Sequence, residues 1–82
     1  MEINVKEWVV QWFAEHVGIE TEVIKENLDV NFFHNGWIDS FQFINFISDI
    51  EDEFDVTFSN DEFQDRSFAS INGISISITN KL

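Results

Sequence analysis

Apolar residues recur along this chain at helical spacing in two long stretches, and the polar residues flanking each stretch supply its start and stop signals. The first covers residues 5 to 17, where Val5, Trp8, Val9, Trp12, Phe13 and Val17 follow one another at three- and four-residue steps. Asn4 is placed to cap this helix with Glu7 at its third position. Ile3 and Trp8 stand where a hydrophobic staple would hold the entry, and Gly18 can take the left-handed conformation that ends it. The second stretch, residues 40 to 54, is the strongest in the chain. Asp39 can cap it, Gln42 occupies the capping-box position, and Ile38 with Phe43 repeats the staple spacing. Phe43, Phe46, Ile47, Ile50 and Phe54 form one stripe that belongs in a core.

Residues 19 to 38 show no sustained period. A segment of that length without structure is long for a small domain, which marks it as functional or as containing a short helix. Ile24, Leu28, Phe32 and Phe33 are its expected attachments to the core, and Asn35-Gly36 is a turn signal. Beyond Val56-Thr57-Phe58, the capping-box spacing of Ser59 and Glu62 predicts a short helical turn with Phe63 pointing inward. The last segment fits two periods. Ile74, Ile76 and Ile78 alternate with Ser75 and Ser77 as a strand would, while Ile71, Ile74 and Ile78 behind a Ser70 cap fit a helix. A lone strand would find no partner in this chain, so a helix is expected. The pattern is all-α: a small four-helix bundle with a long loop between helices 1 and 2 and a short third helix.

Length and composition narrow the classes. At 82 residues the chain can sustain one marginal core, so residues 1–82 are expected to be a single domain. Its net charge of −12 would suit a disordered chain, but 44% apolar content with ten Phe and three Trp is enough to fold. The absence of Cys excludes a disulfide framework, a thiolate zinc site and a cysteine nucleophile. The N-terminal stretch carries Glu2, Glu7 and Glu15 and no apolar run long enough for a signal or spanning segment, so a soluble cytoplasmic protein without membrane anchoring is expected. A monomer is expected as well. Direct nucleic-acid binding is excluded by the scarcity of cations, which are Lys6, Lys25, Arg66 and Lys81. From Glu26 to Asp65 there are eleven acids (26, 29, 39, 49, 51, 52, 53, 55, 61, 62 and 65) and no Lys or Arg, an anionic surface suited to a basic partner.

Catalysis is hard to build from these residues. His16 and His34 lie on the first helix and in the loop with no nucleophile beside them, so the chain is not read as an enzyme. A calcium loop starting at Asp29 fails because Phe33 takes the fifth ligand position and Gly36 comes two places late, and no other metal site is expected. The side of the second helix away from its core stripe carries Ser40, Phe41, Ile44, Ser48, Glu51 and Asp52. Phe41 and Ile44 are large apolar groups on a face that otherwise reads polar, the mark of a contact site. Ser40 is either an ordinary first-turn residue or a hydroxyl that receives a phosphate-containing group at a helix N-terminus.

The segment GWIDSFQFINFISDIEDEF, residues 36 to 54, carries a resemblance. Gly36-x-x-Asp39-Ser40-Phe41, followed by an amphipathic helix that turns acidic and ends in Phe, resembles the Gly-x-Asp-Ser-Leu site of acyl carrier proteins and peptidyl carrier domains. A closing helix opening with Phe68-x-Ser70-Ile71 extends the likeness over nearly all of the chain. The resemblance implies an acyl-carrier-type bundle in which Ser40 bears the 4'-phosphopantetheine arm of coenzyme A, added by a phosphopantetheinyl transferase. It also implies that Asp39 helps that transferase place magnesium and coenzyme A. The arm's thiol would then hold an acyl or aminoacyl thioester for partner enzymes with basic docking surfaces. Phe41, Ile44 and Ser48, with the acids Glu51 and Asp52, would form the docking face. The chain departs from the family pattern at Phe41 in place of the usual Leu, at Asn45 where fatty-acid carriers tend to have an acid, and in the two residues between Gly36 and Asp39; Gly36-x-x-Asp39-Ser40 with Phe68-x-Ser70-Ile71 in the closing helix is more similar to stand-alone carriers, D-alanyl carriers included. A competing reading is an acidic helical adaptor or nucleic-acid mimic that binds a basic protein through Phe41 and Ile44, for which the Gly36-Asp39-Ser40 set would be unnecessary.

Overall fold

The computed structural model describes residues 4–64 and 66–82 and is helical throughout its regular elements: α1 (Val5–His16), α2 (Thr21–Glu26), α3 (Ser40–Phe54), α4 (Asn60–Gln64), a 3-10 turn (Arg66–Ala69) and α5 (Ile71–Lys81). The all-α expectation holds, with α2 as the short helix inside the long loop.

The caps act as the sequence predicts. Asn4 Oδ1 accepts the Glu7 N–H at 3.0 Å, and α1 gives way at Val17 to Gly18, whose φ of 80° is the left-handed value glycine reaches without a Cβ penalty. The Ile3 half of the expected staple lies outside the described residues. The buried face of α1 is Val5, Val9, Val10, Trp12 and Phe13, with Trp8 and Val17 only half-buried. α2 is six residues long, and its Glu20 cap makes no side-chain bond. Ile24, fully buried, ties it to the core, and Lys25 pairs with Glu7 of α1 at 3.4 Å. The fifteen residues of α3 end on Asp55, whose φ of 54° is one that Asp tolerates better than most side chains.

In α5 the helical period prevails over the alternation. Ile71, Ile74 and Ile78 are fully buried, whereas Ile76 is 61% exposed. Ser70 Oγ accepts the Gly73 N–H at 2.9 Å, and the buried Ser75 hydroxyl donates to the Ile71 carbonyl, so neither polar group is buried without a partner.

Aromatic rings join the layers. Trp12 lies 4.6 Å from Phe46 between ring centroids, and Phe13 lies 5.3 Å from Phe46 and 5.4 Å from Phe32. The indole N–H groups of α1 also reach α3: Trp12 Nε1 donates to Asp49 Oδ2 at 2.8 Å and Trp8 Nε1 to Glu53 Oε1 at 3.2 Å. Phe63 on α4 departs from the inward orientation expected of it. It is 40% exposed and packs against Phe43, Phe58 and Phe68 at the margin of the core, because α4 is a single short turn with no buried residue.

Candidate functional site

Ser40 opens α3, and the loop before it is shaped by local hydrogen bonds. Asn31 Oδ1 accepts the N–H groups of Phe33 and His34 at 2.9 and 3.0 Å, an Asx-type turn that folds the chain back. Gly36 follows with φ 78°, the second place where the backbone needs a residue without Cβ strain. The Phe32 carbonyl accepts from both Trp37 N and Ile38 N at 3.1 and 3.3 Å, while the Phe32 N–H donates to the Ala69 carbonyl at 2.9 Å. Asn72 completes the tie: its N–H donates to Leu28 O, and its side-chain amide donates to Asp29 Oδ1 at 2.7 Å. The approach to Ser40 is therefore fastened to the start of α5. Of the loop's expected anchors, Ile24 and Phe32 are fully buried and Leu28 is packed against the core. Phe33 is 38% exposed but in ring contact with Phe32 and Phe43.

A capping box brackets Ser40. Asp39 Oδ1 accepts the Gln42 N–H at 2.8 Å, and Gln42 Oε1 accepts the Asp39 N–H at 3.1 Å. The serine side chain is exposed at the first helical position. Helix geometry gives the first N–H groups no intrahelical acceptor; Asp39 takes that of Gln42, which leaves those of Ser40 and Phe41 at the positive end of the helix dipole. The first turn of α3 holds no acid. Within the cap and first turn of α3, a phosphodiester on Ser40 would thus meet backbone donors and no carboxylate but that of Asp39. Asp39 itself keeps acceptor capacity after capping, because a carboxylate has about four lone-pair positions.

The proposed contact residues share one exposed face of α3. Phe41 is 82% exposed and Ile44 63%, Ser48 and Asp52 are exposed, and Glu51 is half-buried. Lys25 and Lys81, on α2 and α5, pair with Glu7 and Glu62, so these cations do not neutralise α3. Two further acids of the helix have a different task. Asp49 and Glu53 turn towards α1 as acceptors for Trp12 and Trp8. From the sequence alone these acids read only as part of the anionic surface between Glu26 and Asp65. The signal for their role was the matching four-residue step of Trp8 and Trp12 on one helix and of Asp49 and Glu53 on the other. Of the two histidines, His16 stacks on Trp12 at 4.6 Å, its Nδ1 3.1 Å from the Trp12 carbonyl oxygen, and His34 is exposed in the loop; neither is brought to Ser40. Among the described residues no group of three or more acids or histidines could hold a metal ion, and no helix is long and apolar enough to cross a membrane.

Residues 7–75 match the family model described as a phosphopantetheine attachment site. Over 55 residues the chain is 42% identical to the D-alanyl carrier protein of Staphylococcus saprophyticus, an alignment that spans 67% of this chain and 70% of that protein. No solved structure matches the chain significantly.

Proposed function

The chain belongs to the phosphopantetheine-attachment family, a carrier for acyl or aminoacyl intermediates on a covalently attached 4'-phosphopantetheine arm, and on that premise we propose that Ser40 bears the arm. The observation that carries this is an exposed hydroxyl at the head of α3, framed by the Asp39–Gln42 capping box and lying inside the matched region. The arm supplies a thiol that this cysteine-free chain lacks, and with it a thioester linkage for the cargo. The chain's own residues do the rest. Ser40 offers the attachment oxygen, and the α3 N-terminus favours the phosphate charge. The Asp39 carboxylate stands beside Ser40, where a transferase must bring magnesium and coenzyme A.

Phe41, Ile44 and Ser48 form the docking face, with Glu51 and Asp52 as its charged rim. Partners of this face are a phosphopantetheinyl transferase and the enzymes that load and unload the thioester, each presenting Lys or Arg. Apolar anchors surrounded by weak individual charge pairs suit repeated docking and fast release. The similarity to a D-alanyl carrier protein supports an aminoacyl cargo of that size. The radius of gyration is 11.8 Å, against about 12 Å for one domain of this length, which supports a single unit. The same reading makes it a monomer among cytoplasmic partners, where coenzyme A is at hand.

The test is incubation with coenzyme A, magnesium and a broad-specificity phosphopantetheinyl transferase, followed by intact mass. A gain of one arm is expected, and Ser40→Ala should show none while keeping its helical circular dichroism. Modification that persists in Ser40→Ala would assign the arm to another residue.

A further inference from the structure

We infer that aromatic packing beneath Ser40 keeps the cargo outside the fold, so that this carrier takes short or polar acyl groups, aminoacyl groups among them, and gives no shelter to a long alkyl chain; the inference rests on Ser40 as the attachment residue. Phe43 stands three positions after Ser40 on α3, the neighbouring position on a helix surface. Its ring centroid is 5.1 Å from Phe33, 5.9 Å from Phe63, 6.2 Å from Phe68 and 6.3 Å from Phe32. Phe68 in turn touches Phe58 and Phe63, both at 5.5 Å and both edge-to-face. The route inward from Ser40, between the loop, α3, α4 and the 3-10 turn, is thus occupied by rings already in contact.

Packed interiors resist insertion, since added methylenes force neighbouring side chains off their rotamers. An alkyl chain could enter here only by parting Phe43 from Phe33, Phe63 or Phe68. Two clefts elsewhere give it no alternative near the site. One lies between α1 and α3 beside Trp8, His16 and Asp52, the other beside Val5, Ile76 and Leu82, and neither is lined by Ser40 or by these phenylalanines. A charged or polar cargo loses nothing by staying in water, whereas a long chain would stay exposed. Phe63, 40% exposed, and Phe43 behind it therefore act as the chain-length filter of the site.

The experiment loads the full chain from acetyl-, hexanoyl- and decanoyl-coenzyme A with a promiscuous transferase, confirms one acyl arm by intact mass, and then compares melting temperature and backbone hydrogen exchange in α3 and α4. In the native sequence the three forms should melt within ~1 °C of one another with unchanged exchange. Phe63→Ala, and Phe43→Ala where it folds, should make the decanoyl form melt about 4–8 °C above the acetyl form, because the vacated space now receives the chain. A decanoyl form of the native sequence that melts several degrees higher and gains protection would overturn the inference, as would chain-length independence that persists in Phe63→Ala. A mass that never rises by an acyl arm would instead overturn Ser40 as the attachment site, a separate result.

Discussion

Asp39 and Gln42 close each other's backbone: Gln42 donates its N–H to Asp39 Oδ1 at 2.8 Å, and Asp39 donates its own to Gln42 Oε1 at 3.1 Å. Ser40 sits between them, so the acid that starts the helix is also the one proposed to meet the transferase. The two tasks separate by substitution. Asp39→Ala should cost about 0.5–2 kcal/mol of stability through the lost cap, whereas Asn caps nearly as well as Asp. Asp39→Asn should therefore melt close to the native protein and still be modified by the transferase at least tenfold more slowly. Native modification rates in Asp39→Asn would leave the carboxylate with a capping role alone.

Phe41→Ala and Ile44→Glu should leave the fold intact, since both side chains are mostly in water. Steady-state assays with a loading enzyme are expected to show KM raised about fivefold or more, the size of a 1 kcal/mol contact at an interface centre, with little change in kcat. Neutralising the rim with Glu51→Gln and Asp52→Asn should give a smaller rise and a weaker salt dependence. Equal KM values across all four variants would place the docking face elsewhere.

The indole of Trp12 binds Asp49 across the α1–α3 seam. Trp12→Phe keeps most of the ring but leaves a half-buried carboxylate without that donor, and should lower stability by about 1–3 kcal/mol in urea unfolding. Asp49→Asn keeps an acceptor oxygen and should cost less. If the two variants unfold at the same urea concentration as the native chain, the bond is not contributing.

The alternating isoleucines of α5 provide a direct test of its period. Ile74→Ala should cost about 2–5 kcal/mol, because the side chain is fully buried and its removal leaves a cavity. Ile76→Ala should stay within about 0.5 kcal/mol, since Ile76 faces solvent. In a strand these residues would share one face and give similar losses.

What the chain discloses in advance follows from the range of the interaction involved. The bounds of α3 were legible because its cap, its capping box and its apolar stripe all lie within a few residues of one another. The ends of α1 and the capped start of α5 were legible for the same reason, as was the exposure of Phe41 and Ile44. α2 was foreseen only as a possibility, since six residues hold too few turns to show a period and Glu20 gives no cap signal. The half-exposed position of Phe63 was missed because it depends on how a single turn of helix lies on rings contributed by Phe43 and Phe68. The bonds of Trp8 and Trp12 span 45 and 37 residues, and no local rule aligns those two helices.

The bond from the Phe32 N–H to the Ala69 carbonyl carries one more consequence, for when the site comes into being. The turn that presents Ser40 is closed on one side by residues near the opposite end of the sequence. A chain interrupted before Ala69 would contain the serine, the aspartate and all of α3, yet the loop leading to them would lack its far attachment. Presentation of Ser40 is in this sense a property of the finished molecule, and a transferase that requires the ordered loop would pass over partly synthesised or partly unfolded copies.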